Sequence, residues 1–121
     1  MLSIYLSQII KNKMVIVKGS LKRKRDFIFI DDVVKILTKN FKFNSDDIIN
    51  VATGKKTTVK KLIILLFKNL NLKVKIKVVS SHSGDSFGTY ANIDKLKKIN
   101  LKPKINLKTG IKKTIKSLYN N

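Results

Sequence analysis

Apolar residues recur along this chain at two different spacings, and the switches between them lay out its elements. In Ser3–Asn12 they fall at Ile4, Leu6, Ile9 and Ile10, which predicts a helix with one apolar face. Met14–Val17 is a short apolar run rich in β-branched residues and ended by Lys18-Gly19-Ser20, the pattern of a strand. A basic polar loop follows over Ser20–Lys24. Asp26–Ile30 reads as a second strand, with Asp31 placed to cap a helix over Asp32–Phe41 through its side-chain oxygen. The apolar stripe of that helix is Val33, Val34, Ile36, Leu37 and Phe41.

Ile48–Ala52 is apolar apart from Asn50 and reads as a strand closed by Thr53-Gly54. Thr57 or Thr58 then caps a strongly apolar helix that runs through Leu70. Lys73–Val79 alternates Lys with Val and Ile, the period of a strand with one solvated face. A loop of small and polar residues spans Ser80–Thr89. Asn92 is placed to cap a short helix over Ile93–Ile99; Pro103 breaks the chain, and Asn106 is placed to cap a last helix over Leu107–Leu118. Alternating helices and strands predict an α/β fold with some parallel pairing. No repeat, low-complexity linker or internal boundary divides the chain, so residues 1–121 read as one domain or part of one.

Composition narrows this picture. At 43% hydrophobic the chain can build a modest core. No apolar run approaches the roughly 20 residues that span a bilayer, and Met1–Ile10 lacks the basic lead and small-residue cleavage site of a signal peptide. No membrane partner is expected. The absence of cysteine excludes disulfides and thiolate metal sites, and with no export signal the expected location is cytoplasmic. The net charge of +20 attracts polyanions. Yet only Arg23 and Arg25 are arginine among 27 basic residues, and the lysines are scattered over every segment. Arginine is the usual bidentate reader of bases. No specific nucleic-acid partner is expected, only salt-sensitive binding to polyanions.

Residue chemistry singles out a few positions. Arg25, at the head of a strand beside Lys22, Arg23 and Lys24, offers a planar fork suited to a diphosphate; the plain reading of the residue is a solvated loop position. Lys22–Lys24 read as solvated. Asp31 and Asp32 are adjacent acids at a helix start, which a cap and a dipole partner explain better than a metal. Thr53-Gly54 lacks the spacing of a phosphate loop and reads as a turn. Phe87 and Tyr90 read as packing residues. His82, the one histidine, has no acid or nucleophile signature nearby.

Four stretches in order carry a resemblance: RDFIFIDDVV (Arg25–Val34), NVATGKKTTVKKL (Asn50–Leu62), GDSFGTYANIDKLKK (Gly84–Lys98) and LKPKINLKTGIKK (Leu101–Lys113). Together they resemble the C-terminal half of the extended short-chain dehydrogenase/reductase superfamily, specifically the nucleotide-sugar epimerases and dehydratases of the UDP-glucose 4-epimerase type. The resemblance covers nearly the whole chain. It implies an α/β fold that is the C-terminal, substrate-binding portion of an extended short-chain dehydrogenase/reductase, without the N-terminal Rossmann half.

The resemblance also implies roles for particular residues. Arg25 falls on the motif arginine that contacts the nucleotide diphosphate. Ile16 and Lys18, in Val15–Gly19, fall where the family offers backbone groups and one side chain to the base; Lys18 departs from the aromatic or aliphatic residue found there. Asp85 falls on an acid that hydrogen-bonds the ribose. His82 stands where better-studied epimerases carry a second diphosphate arginine, and it is assigned to the edge of the substrate site. Asn92 stands where the family usually has Asp. NAD is implied for a complete enzyme, but no cofactor-binding residue is assigned in this chain. Its 121 residues contain no GxxGxxG fingerprint. Nor do they contain a YxxxK pair, since Tyr5 is followed at the fourth place by Ile9, Tyr90 by Asp94, and Tyr119 by the end of the chain. The expected function is therefore the UDP-sugar-binding part of an epimerase or dehydratase, inactive alone, whose partner is a Rossmann half supplied in cis or in trans. Two rivals stay open: a stand-alone nucleotide-sugar-binding regulatory module, and a nonenzymatic basic polyanion-binding protein.

Overall fold

The computed structural model describes residues 1–39, 48–80, 88 and 90–119. Helix α1 spans Leu2–Asn12 and ends on Lys13 in the left-handed conformation (φ 48°), whose N–H returns to the Ile9 carbonyl. Strand β1 (Met14–Lys18) follows at once and pairs in parallel with β4 (Lys75–Val79), from Met14↔Lys75 to Lys18↔Val79. The parallel pairing expected from the alternation of elements is thus present. Between these strands lie β2 (Lys24–Arg25), α2 (Ile30–Leu37), β3 (Thr57–Thr58) and α3 (Val59–Leu70). After them come α4 (Asp94–Lys98) and α5 (Leu107–Tyr119).

Side-chain oxygens set several of the boundaries. Thr58 caps α3, its hydroxyl accepting from Lys61 N at 3.1 Å. Asn71, left-handed at φ 52°, ends the same helix, a conformation asparagine tolerates well. Asn106 accepts from Thr109 N at 2.9 Å to open α5. Asn92 accepts from Asp94 N at 2.8 Å, but the N-cap of α4 is Ile93, with no side-chain cap bond, so Asn92 bends the chain ahead of the helix rather than capping it; α4 is also shorter than Ile93–Ile99.

Two apolar clusters hold the elements. In the larger, Leu6 and Ile9 of α1, Val15 and Val17 of β1, Leu62, Ile63 and Leu66 of α3, and Ile111 and Ile115 of α5 are buried. The smaller consists of Ile36, Leu96 and Leu101, with Ile49, Val51, Ile93 and Ile99 packed around them.

Several local expectations are corrected. First, α1 turns Tyr5 inward with Leu6 and Ile9, leaving Ile4 and Ile10 exposed, because β1, α3 and α5 cover a face rotated from the predicted one. Second, Asp26–Ile30 is not a strand; only Lys24–Arg25 pair, antiparallel to Thr57–Thr58. Beyond Arg25 each side chain finds its own anchor: Asp26 bonds the Thr53–Gly54 turn and Phe27 joins the larger cluster. Phe29 lies against Gly110, where an added Cβ would sit 3.1 Å from the ring. Third, α2 begins at Ile30 with Phe29 as its N-cap and no side-chain cap bond, so Asp31 does not cap it. Fourth, Ile48–Ala52 forms no ladder among the described residues; Ile49 and Val51 pack on the smaller cluster instead. The β4 strand starts two residues later than Lys73 and is exposed from Lys75 to Val78, on both faces rather than one. Phe41 lies outside the described residues.

Candidate nucleotide-binding site

The segment from Lys24 to Asp32 is fastened at each of its acids to a different later part of the chain. Asp26 Oδ1 accepts from Thr53 N at 3.1 Å and from the Thr53 hydroxyl, while Oδ2 accepts from Gly54 N at 2.7 Å. Asp31 receives Lys113 Nζ at 2.8 Å, and that ammonium also lies 5.2 Å from the Phe29 ring centre. Asp32, buried, accepts from Ile105 N at 2.7 Å. A buried carboxylate needs such a donor, since its desolvation is otherwise costly. The paired aspartates act as struts, and among the described residues no group of three or more metal-ligating side chains forms.

Arg25 is fixed at its backbone by one later segment, residues 53–57. Its backbone pairs with Thr57, and its neighbour Asp26 holds the turn that leads into Thr57. That turn requires glycine: Gly54 sits at φ +69°, and a Cβ there would come 3.0 Å from Ile93 Cδ1. Arg25 Nη1 donates to the Lys24 carbonyl at 2.8 Å, and the side chain is half-buried. Lys24 bridges to Gly88 on its other side, so Lys24 lies between Thr58 and Gly88.

Arg23, expected to be solvated with Lys22 and Lys24, is half-buried instead. Its guanidinium donates from Nη2 to the Lys18 carbonyl and from Nε to the Ser20 carbonyl at 3.4 Å. The end of β1 is thereby tied to the segment that carries Arg25. Ile16 N donates to Gln8 Oε1 of α1 at 3.0 Å, a contact sequence reasoning missed because Gln8 sits among the polar positions of an amphipathic helix. Tyr90, read as a packing residue, is half exposed, with Lys56 Nζ 3.9 Å from its ring centre. The Lys56 ammonium, through its hydrogen bond and then its charge, holds the phenol below the ordinary tyrosine range, and the charge of Lys24 adds to this. Gly88 places this pair near β2, a proximity no local spacing announces. Of the sequence-assigned residues, Arg25, Ile16 and Lys18 are placed, and Arg23 links their segments; His82 and Asp85 lie outside the described residues.

Comparison with known proteins gives this arrangement a context. Residues 1–52 match the model of the NAD dependent epimerase/dehydratase family. A protein of Methanocaldococcus jannaschii named “Putative UDP-glucose 4-epimerase” is 30% identical over 122 residues, a match covering 99% of this chain and 39% of that protein. A dTDP-4-dehydro-6-deoxyglucose reductase of Escherichia coli is 30% identical over 117 residues, covering 95% of this chain and 37% of the reductase. The structure of a UDP-N-acetylglucosamine 4-epimerase from Methanobrevibacter ruminantium, in complex with UDP-N-acetylmuramic acid, superposes with a TM-score of 0.88 at 25% identity. That match covers 99% of this chain and 39% of the epimerase. The chain thus spans well under half the length of the relatives it matches. With this fold and these matches, the chain is similar to members of the NAD-dependent epimerase/dehydratase family, of the extended short-chain dehydrogenase/reductase superfamily, over a portion of their length.

Proposed function

We propose that this chain grips the nucleotide handle of a sugar nucleotide, a UDP-sugar, for an NAD-dependent epimerase or dehydratase, and that it performs no turnover alone. The observation that carries this reading is the fastening of the Arg25 backbone to the segment 53–57, directly at Thr57 and through its neighbour Asp26 at Thr53–Gly54. A fork carried on a backbone fixed this way suits a diphosphate, and less backbone freedom is lost on binding. Ile16 and Lys18 meet the base, Asp85 the ribose, and His82 the edge of the sugar site. Holding an inert handle positions the reacting sugar carbon for groups supplied elsewhere. In a complete enzyme the hydride chemistry would be supplied by NAD; the 121 residues hold no glycine-rich fingerprint to receive it.

The partner in this reading is a Rossmann half, in cis or in trans. Support comes from α2, whose Ile30, Val34 and Leu37 repeat at helical spacing on one face and are 62%, 49% and 69% exposed. Ile48 is 82% exposed. Apolar rows of this kind mark a docking face.

Titration with UDP, followed by amide chemical shifts, tests the site. Shifts are expected at Val15–Gly19, at Arg25 and at Gly84–Phe87. Arg25→Ala should weaken binding at least ~tenfold, the scale of a lost charge-assisted bond. Unchanged affinity at physiological salt would mean that the lysines alone attract the nucleotide, and the assignment would be wrong.

A further inference from the structure

The ladder bonds of β4 fix which of its backbone groups are taken. Lys75 N donates to the Lys13 carbonyl, and Gly19 N donates to the Val79 carbonyl. In the register Met14↔Lys75 to Lys18↔Val79, Lys75, Lys77 and Val79 therefore turn their N–H and C=O groups toward β1. Ile76 and Val78 turn theirs the other way. Among the described residues no strand stands on that side to meet them.

The two faces of β4 differ in chemistry. Residues paired in the ladder share a face, so Ile76 and Val78 lie on the side of Val15 and Val17, the buried side of β1. Yet Ile76 is 38% and Val78 51% exposed, so the apolar layer that covers β1 stops short at β4. Lys75 and Lys77 stand exposed on the opposite face. The described carboxylates are engaged elsewhere: Asp26 with Thr53 and Gly54, Asp31 with Lys113, Asp32 with Ile105, and Asp94 with Lys97.

We propose that β4 is a strand-addition site for an extended segment of a partner protein, apolar on one face and acidic on the other. The edge selects a strand, because an extended peptide backbone repeats donor and acceptor at the spacing of Ile76 and Val78. Apolar side chains of the added strand would continue the layer over Ile76 and Val78. Asp or Glu on its other face would meet Lys75 and Lys77 as cross-strand pairs. Main-chain bonds supply affinity in this mode of recognition, and the alternating side chains choose the partner. Nucleic acid, which the net charge of +20 also attracts, has no peptide groups to continue the ladder. The surface shares no residue with Arg25 or with the outer row of α2, so it stands whether or not the chain binds a nucleotide.

The test gives the 121-residue chain two short peptides of equal composition at physiological salt. One alternates Glu with Val; the other carries the same residues in two blocks, so the lysines attract both alike. The alternating peptide should bind at least ~tenfold tighter, the scale of a pair of backbone bonds. It should slow hydrogen exchange at the Ile76 and Val78 amides, which β1 leaves unpaired. Val78→Pro removes one outward donor at an edge position, where proline is tolerated, and should weaken the alternating peptide ~tenfold. Lys75→Glu with Lys77→Glu, both exposed, should turn the preference to a peptide alternating Lys with Val. Equal binding of the two acidic peptides would reduce the effect to general charge and overturn the proposal. So would protection that leaves Ile76 and Val78 unchanged, an unaltered preference in the double variant, or occupation of this edge by a second copy of the chain.

Discussion

The two apolar clusters use the same kinds of residue in different ways. In the larger, elements from both ends of the sequence converge, and Ile9, Val15, Val17, Leu62, Ile63 and Leu66 have no solvent exposure. In the smaller, a single helix face, Ile36 of α2, meets Leu96 and Leu101, and the same helix turns a second apolar row outward. An α2 serving only this chain needs one apolar face. It has two, with buried Asp32 and Ile36 on one and Ile30, Val34 and Leu37 on the other. The larger cluster is a core closed on all sides by its own elements, whereas the smaller lies under a helix whose outer apolar row stays exposed, the row that the proposed Rossmann half would cover.

The sharpest way to break this contrast is to cut into each cluster. Leu62→Ala should cost about 2–5 kcal/mol in chemical denaturation, the range for a fully buried leucine. Leu96→Ala should instead speed hydrogen exchange around α4 and α2 while the amides of β1 and α3 stay protected, as expected of separate cooperative units. Equal loss of protection throughout would show one core, not two.

Next in size is Asp32. Replacing it by Ala leaves the Ile105 N–H without its acceptor and should cost about 1–3 kcal/mol, read as a lowered unfolding midpoint. Asp31→Ala loses only an exposed ion pair with Lys113 and should change stability by about 1 kcal/mol or less.

Charging the outer row of α2 separates its structural role from its docking role. Val34→Lys with Leu37→Lys should leave the stability of the isolated chain within about 1 kcal/mol, because both side chains already face solvent. Co-expression with the Rossmann half of a related enzyme should yield a complex with the wild-type chain and none with the double variant. Equal recovery of both would remove α2 from the interface.

The smallest effect concerns pH. Tyr90 is held below the usual tyrosine value by Lys56, so the folded chain releases this proton before the unfolded one does. Stability therefore rises with pH through that window. The gain is complete above the unfolded value of roughly 10 and is lost as pH falls through the lowered folded value. The Tyr90 ring carbon shift, followed by NMR, should titrate early, and Lys56→Met should move its midpoint up. An unmoved midpoint would deny the contact.

Much of the fold was legible because its signals are local. The caps at Thr58 and Asn106, the apolar run of α3, and the paired elements α1 and β1 were all readable from spacing. Asp26–Ile30 misled because Phe27–Ile30 is an unbroken apolar run with the composition of a strand, and nothing in it shows that its side chains are anchored to different segments. Ile48–Ala52 has the composition of a strand, but a strand forms only where a ladder partner stands, and sequence does not place partners. In the site, Arg25 was visible through its motif. Gln8, Arg23 and Lys56 were not, since each acts through a contact made by folding rather than by spacing: Gln8 to Ile16, Arg23 to Lys18, Lys56 to Tyr90.

Strand β4 gives the lysine excess a use unrelated to any ligand. Among the described residues β4 pairs only with β1, so its far side is a sheet edge, with Ile76 and Val78 partly exposed along it. Such an edge templates pairing with another copy. Here Lys75 and Lys77 alternate with the apolar residues, so two such edges brought together would set ammonium against ammonium along the seam. Parallel pairing also brings Met14 to Lys75 across four intervening elements, which makes β4 late to find its place. The same lysines would keep that waiting strand from its counterparts on other chains until β1 claims it.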